Sequence, residues 1–216
     1  MENTKFIDEL ILRYPQLIDI SYKIEEAAER LIRCYQNGNK VLICGNGGSS
    51  SDSDHIAGEL LKGFEQRRPL EESVRKQLAS ASGERGAYLA EKLQTGLPAI
   101  SLSAHTGVVT AVVNDIDACL IYAQQVIAFG SPGDVLIGIS TSGNAQDVID
   151  AAITARAKEM TVIGLTGETG GKLKSFCDII INVPEKRTSY VQELHLPVYH
   201  TLCMIVENYF FGIDGQ

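Results

Sequence analysis

The sequence predicts an α/β fold, a doubly wound five-stranded parallel sheet flanked by helices, with an N-terminal helical hairpin and a helical insertion at about 70–95. Three observations carry this. Short apolar runs of strand length alternate with longer amphipathic stretches, the pattern of a parallel sheet covered on both faces. Three of those runs end in loops of small and hydroxylated residues. The 216 residues, of which 44% are hydrophobic and 21% charged, are enough to bury a core, so the chain is read as a single domain over 1–216.

Residues 3–36 read as helix, because Ile7, Leu10, Ile11 and Leu17 and then Ile24, Ala27, Ala28, Leu31 and Ile32 recur at helical spacing. "QNGNK" ends them, with Gly38 as C-cap. "VLICG" is the first strand. "GLPAISLSA", "DVLIGIS", "MTVIGLTG" and "CDIIINVP" supply the other four. Helices are expected at 49–64, at 104–128 in two pieces, at 144–158, and from Ser189 to about Tyr209. The charged, alanine-rich segment 70–95 breaks the alternation. It reads as two short helices around "SASGERG", anchored by Leu78, Tyr88, Leu89 and Leu93, either a solvated insertion or a wall of the site.

The formal net charge of −8 and the lack of a basic face argue against a nucleic-acid partner. No leader segment and no apolar run of membrane length is evident, which predicts a cytoplasmic protein without a membrane partner. Cys34, Cys44, Cys119, Cys177 and Cys203 are scattered and form no CxxC pair, so they are expected to be reduced and buried as small hydrophobes.

In open parallel sheets ligands bind at the carboxyl ends of the strands. "GNGGSSS", "STSGNAQD" and "TGETGG" fall at such ends. The first two precede helices, whose N-termini hold anions, and Ser140, Thr141 and Ser142 add hydroxyl donors. Ordinary capping by Ser or Asn is the alternative, but two such turns in one chain favour a phosphate-type ligand. The loops match neither GxxxxGK[ST], GxGxxG nor GxSxG. His55 and Glu59, four apart, share a helix face and suit acid–base work or zinc. In "QELHLPVYH", His195 lies roughly 60° and His200 roughly 80° around the helix from Gln192, so geometry does not choose between them. Pro197 adds a kink.

Together "CGNGGSSSDSDHIAGELL", "VVNDID", "GISTSGNAQDVIDAA", "LTGETGGKL" and "QELHLPVYH" resemble the phosphoheptose isomerases of the sugar isomerase (SIS) domain family, in family order and over nearly the whole chain outside 70–95. The resemblance implies interconversion of sedoheptulose 7-phosphate and D-glycero-D-manno-heptose 7-phosphate through an enediol, a step toward nucleotide-activated heptose for surface polysaccharide. It implies Glu59 and His200 as the catalytic pair. It implies Asn46, Gly47, Gly48, Asn114, Asp115, Ser140, Thr141, Ser142 and Gln192 as substrate contacts. It implies zinc on His55, Glu59, Gln192 and His200. The partners it implies are a phosphorylated sugar and further copies of the chain, in a homotetramer with sites at subunit interfaces.

The chain departs from the family pattern at Ala145, where a serine is common, and at "KGF" (62–64), where an arginine is common. Competing readings are isomerisation of another phosphosugar, a non-catalytic branch that associates with the replication initiator, and a phosphosugar sensor. The presence of both Glu59 and His200 speaks for chemistry. Apolar residues on several helix faces, Ile18, Ile20, Tyr22 and Ile24 and then Leu202, Met204, Ile205 and Val206, point to contact with another subunit.

Overall fold

The computed structural model describes residues 4–212. Five parallel strands form one sheet in the order β2-β1-β3-β4-β5. They are β1 (Val41–Gly45), β2 (Ala99–Ser101), β3 (Val135–Ser140), β4 (Thr161–Thr166) and β5 (Ile179–Asn182). Register follows the alternating pattern: Ile43 pairs with Ser101 on one side and Ile137 on the other, and Ile137 pairs with Ile163. The period of two sorts side chains to opposite faces. Val41, Ile43, Ile137, Ile139, Ile163 and Leu165 face one core. Leu42, Cys44, Leu136 and Val162 face the other. This is the doubly covered sheet expected from the sequence.

Helices α1 (Thr4–Arg13), α2 (Ser21–Gln36), α3 (Gly48–Leu61) and α8 (Thr188–Phe211) supply the first core, through residues such as Leu10, Leu31, Leu60 and Leu202. Helices α6 (Ile121–Phe129) and α7 (Gln146–Ala157) cover the second face, through Tyr122, Val126, Val148 and Ala152. Between α3 and α6 in the chain stand α4 (Glu72–Lys92) and α5 (Thr106–Asp115). The N-terminal helical run is real but divided, because Pro15 opens a 3₁₀ segment over Pro15–Ile20 before α2. Residue 3, where the sequence reading begins that helix, lies outside the described residues. Gly38 takes a φ of 74° just past the end of α2, the left-handed turn the sequence calls for.

Segment 70–95 forms the expected pair of helices, joined at Ser82 and Gly83, where Gly83 has a φ of 43°. The two halves pack so closely that a Cβ on Gly86 would lie 1.9 Å from the Leu78 carbonyl oxygen. Of its expected anchors, Leu78 and Leu89 are half-buried, whereas Tyr88 and Leu93 are exposed. Those two side chains therefore do not anchor the segment to the described fold.

Three other expectations are corrected. Helix α3 stops at Leu61 and not at 64, and the N–H groups of Phe64 and Glu65 donate to the Glu207 carboxylate instead of continuing the helix. Leu202, Ile205 and Val206 are core residues, as are Ile20 and Ile24, so they give no sign of a partner, while Ile18 and Tyr22 remain exposed. Cys119 is exposed and Cys177 half-buried, whereas Cys34, Cys44 and Cys203 are buried; all five are free thiols. No helix among the described residues is long and apolar enough to cross a membrane.

Candidate active site

The strand order reverses between β1 and β3, and crevices open at the carboxyl ends of strands at such a point. The loops after β1 and β3 lie there, and they are tied together across it. Asn46 Nδ2 donates to both carboxylate oxygens of Asp147 at 2.9 Å. The Tyr122 hydroxyl donates to the Gly45 carbonyl at 2.6 Å and reaches Asn46 Oδ1 at 3.1 Å. Sequence reading missed Tyr122 and Asp147. Asp147 had a weak signal, an acid in the first turn of a helix, and Tyr122 had none.

Both helices that leave the crevice start without a side-chain cap. Gly47, with a φ of 56°, precedes α3, and Ala145 precedes α7. The capping alternative therefore does not explain the small residues. Ser140 Oγ accepts from the Ala145 N–H at 3.4 Å, and Ser142 Oγ from the Asn144 N–H at 3.1 Å, which holds the loop open in a turn. The third loop supports the second: the Leu173 N–H donates to the Gly143 carbonyl at 2.9 Å. Gly48 lies against α8, where a Cβ would come 2.4 Å from Gln192 Nε2. Asn46, Gly47, Gly48, Ser140, Thr141, Ser142 and Gln192 thus cluster about the crevice. Asn114 and Asp115 close α5, about 13 Å along the helix from its start, and Asn114 donates to Asp115 at 2.7 Å. No hydrogen bond joins either to the crevice residues among the described residues.

One turn and more into α3, His55 Nε2 lies 3.2 Å from Glu59 Oε1, the i, i+4 pair that helical spacing requires. Lys62 Nζ holds the other oxygen, Oε2, at 2.9 Å. From α8, His200 Nε2 comes within 3.5 Å of His55 Nε2. Burial and the nearby His55 lower the His200 pKa below its ordinary value. Pro197 does not break α8, and the Thr201 hydroxyl donates to its carbonyl at 2.9 Å. His195 turns to the core instead: it is fully buried, and neither ring nitrogen has a hydrogen-bond partner among the described residues. Burial pushes it down to about 4. His105 bonds Gln125 at 2.8 Å, away from this cluster. The structure thus separates His195 and His200, the two histidines that helical geometry left open.

Among the described residues no group of three or more His, Cys, Asp or Glu is gathered as a metal cage. The donor chemistry nevertheless suits zinc, and the separations of 3.2 Å and 3.5 Å are close to the ~3.3 Å ligand-to-ligand edge of a tetrahedral zinc site.

The end of α3 is fastened by a buried ion pair that sequence reading did not find. Arg68 Nε donates to Glu207 Oε1 at 2.8 Å, with both side chains at 1% exposure or less. The same guanidinium donates to the carbonyls of Leu60 at 2.7 Å and Glu59 at 2.9 Å. Glu207 also accepts from the backbone N–H groups of Phe64, Glu65 and Gln66 at 2.8 to 3.2 Å. A cleft of about 390 Å³ between α1, residues 64–65 and α8 is lined by His200 but not by the crevice loops.

The SIS domain family model matches residues 6–94 and 85–167. A phosphoheptose isomerase of Trichlorobacter lovleyi is 40% identical over 206 residues, covering 95% of this chain and 92% of that one. One from Aneurinibacillus thermoaerophilus is 38% identical over 205 residues, covering 95% and 89%. Among solved structures, the phosphoheptose isomerase of Neisseria gonorrhoeae aligns with a TM-score of 0.70 at 34% identity, over 92% of this chain and 94% of that one. That of Francisella tularensis aligns at 0.71 and 30%, over 95% and 96%. The chain belongs to the SIS-domain family and, within it, to the phosphoheptose isomerase family.

Proposed function

We propose that this single-domain chain isomerises sedoheptulose 7-phosphate to D-glycero-D-manno-heptose 7-phosphate, supplying nucleotide-activated heptose synthesis. The observation that carries the reading is the meeting of Glu59, His55 and His200 beside a crevice with two uncapped helix N-termini. The phosphate sits at the Ser140–Ser142 turn, where hydroxyls and the start of α7 favour an anion. Asn46, Gly47, Gly48 and Gln192 line the sugar, and Asn114 and Asp115 serve a site that other subunits complete.

The reaction moves one proton between carbons and one between oxygens. Glu59, as a carboxylate, takes the proton from C1 of the ketose, and the electron pair forms the C1–C2 double bond of the enediol. Glu59 then returns the proton to C2. His200, held neutral by its lowered pKa, can accept and donate, so it carries the proton from O1 to O2. Lys62 holds one oxygen of Glu59, which keeps the carboxylate turned to the sugar. His55, Glu59, Gln192 and His200 would hold a zinc ion, whose chemistry is polarisation of the sugar carbonyl. The reading carries a cytoplasmic homotetramer, supported by exposed Leu12, Ile18 and Tyr22 at the N-terminal helices.

The test is NMR of the purified chain with sedoheptulose 7-phosphate in D2O, with and without zinc. Aldose product with deuterium at C1 or C2 is expected. Glu59→Gln should abolish both product and exchange while the fold survives, and retained turnover would remove Glu59 from the mechanism.

A further inference from the structure

Behind His55 runs a hydrogen-bond chain built from two side chains that no motif singled out. The Tyr199 hydroxyl lies 3.2 Å from Asp52 Oδ1 and 3.0 Å from His55 Nδ1. Tyr199 is 1% exposed, and its ring stands edge-on to both His55 and His200, with centroids 5.5 Å and 5.1 Å apart. The phenol can neither swing away nor turn to water. Among the described residues Asp52 Oδ2 is buried without a partner, so the Tyr199 hydroxyl is the hydrogen-bond partner that this carboxyl has there.

A phenol has one proton to give. A carboxylate has none, so the Tyr199 proton goes to Asp52. The phenol oxygen is then left as an acceptor, and the group facing it is His55 Nδ1. That nitrogen must carry the ring's proton. The other nitrogen, Nε2, is bare in the neutral ring, and it points at Glu59 Oε1 and His200 Nε2. We propose that Tyr199, braced by Asp52, is a positioning residue that holds His55 in its Nδ1–H tautomer and presents the Nε2 lone pair to Glu59 and His200. The assignment rests on the isomerase reading only for what that lone pair then does. A bare Nε2 beside a carboxylate oxygen makes a place that attracts a proton or a cation, which a histidine protonated at Nε2 would fill itself.

The experiment is long-range proton–nitrogen correlation NMR of the full metal-free chain, labelled with ¹⁵N-histidine, at about pH 8, where histidines are neutral in their ordinary range. His55→Gln identifies the ring's signals by their loss. In the wild type, His55 is expected to be protonated at Nδ1. In Asp52→Asn, the isosteric amide can donate to the phenol oxygen, which frees the phenol proton for Nδ1 and moves the ring to its Nε2–H form. Tyr199→Phe should leave a mixture. A wild-type ring protonated at Nε2 would overturn the proposal, as would a tautomer that neither variant changes. Should Tyr199→Phe fail to fold, Asp52→Asn decides alone. With sedoheptulose 7-phosphate, Asp52→Asn should lose about 10-fold or more in kcat at unchanged KM, in the range of losses at groups that orient a metal-type histidine. A loss confined to KM or to thermal stability would overturn the positioning role. Absence of wild-type turnover would sink the isomerase reading and leave the tautomer measurement standing.

Discussion

Replacing Arg68 with methionine should be among the most damaging single changes to stability, although Arg68 lies outside every motif of the site. The side chain is fully buried and donates to Glu207 and to two carbonyls in the last turn of α3. Methionine keeps much of the aliphatic volume, so the cavity contribution is small. What remains is the Glu207 carboxylate, 1% exposed, with three backbone N–H groups but no counter-charge. Breaking one partner out of a buried pair costs about 3–5 kcal/mol. At roughly 2–4 °C per kcal/mol for a chain of this size, the melting temperature should fall by about 6–20 °C. Urea unfolding at fixed protein concentration, followed by circular dichroism, measures the loss. Turnover should fall as well, since the Glu59 carbonyl loses its donor. Arg68→Met/Glu207→Met should cost clearly less than the two single changes summed, because removing both charges strands neither. A loss under about 1 kcal/mol in Arg68→Met would refute the reasoning, because the pair would then be hydrated and not buried.

Two other outcomes are expected. Gly48→Ala places a Cβ 2.4 Å from Gln192 Nε2, so it should displace Gln192 and lower kcat/KM while leaving the melting temperature within a few degrees; unchanged kinetics would separate Gln192 from the sugar. His195, held at about 4 against an ordinary 6.5, stays neutral in the fold while the unfolded chain takes up a proton as the pH drops below 6.5. Its contribution is therefore complete above pH 6.5 and is lost progressively toward pH 4, about 3 kcal/mol over that window. His195→Leu should flatten the acid limb of stability between pH 7 and 4.5, and equal slopes in the two proteins would refute this.

What the sequence made legible was periodic or local. Alternating Val and Ile runs announce a parallel sheet, and the glycine and serine loops mark where its strands end, because both signals lie in contiguous residues. The His55–Glu59 pair is visible for the same reason, since a helix puts residues four apart on one face. Arg68 and Glu207 were not visible, because 139 residues separate them and each alone reads as a solvated charge. Tyr199 reads as one more apolar position in α8 until its hydroxyl is placed against Asp52, 147 residues away in the chain. The choice of His200 over His195 could not come from angle alone. It is made by packing, which buries one ring in the core and turns the other to α3.

The site is a consequence of one helix pairing. Gln192 meets Gly48, Tyr199 and His200 meet His55, and Glu207 meets the chain at Phe64 and Glu65. Residues on α8 thus advance with residues on α3 and the loop beyond it, so the two helices run parallel in a fixed register. Positions seven apart on a helix, such as 192 and 199 or 200 and 207, drift by only about 20°, which keeps them on one stripe. A slip of a single turn would move every partner by about 5.4 Å, beyond any hydrogen bond in the set. The apolar contacts between Ile56, Leu60, Leu202 and Cys203 lack direction and would tolerate such a slip far better than the polar ones. Arg68 and Glu207 do not tolerate it, since a buried charge must find its partner. The buried pair therefore fixes the register at the closed end, and Glu59, His55 and His200 come together at the open end because of it.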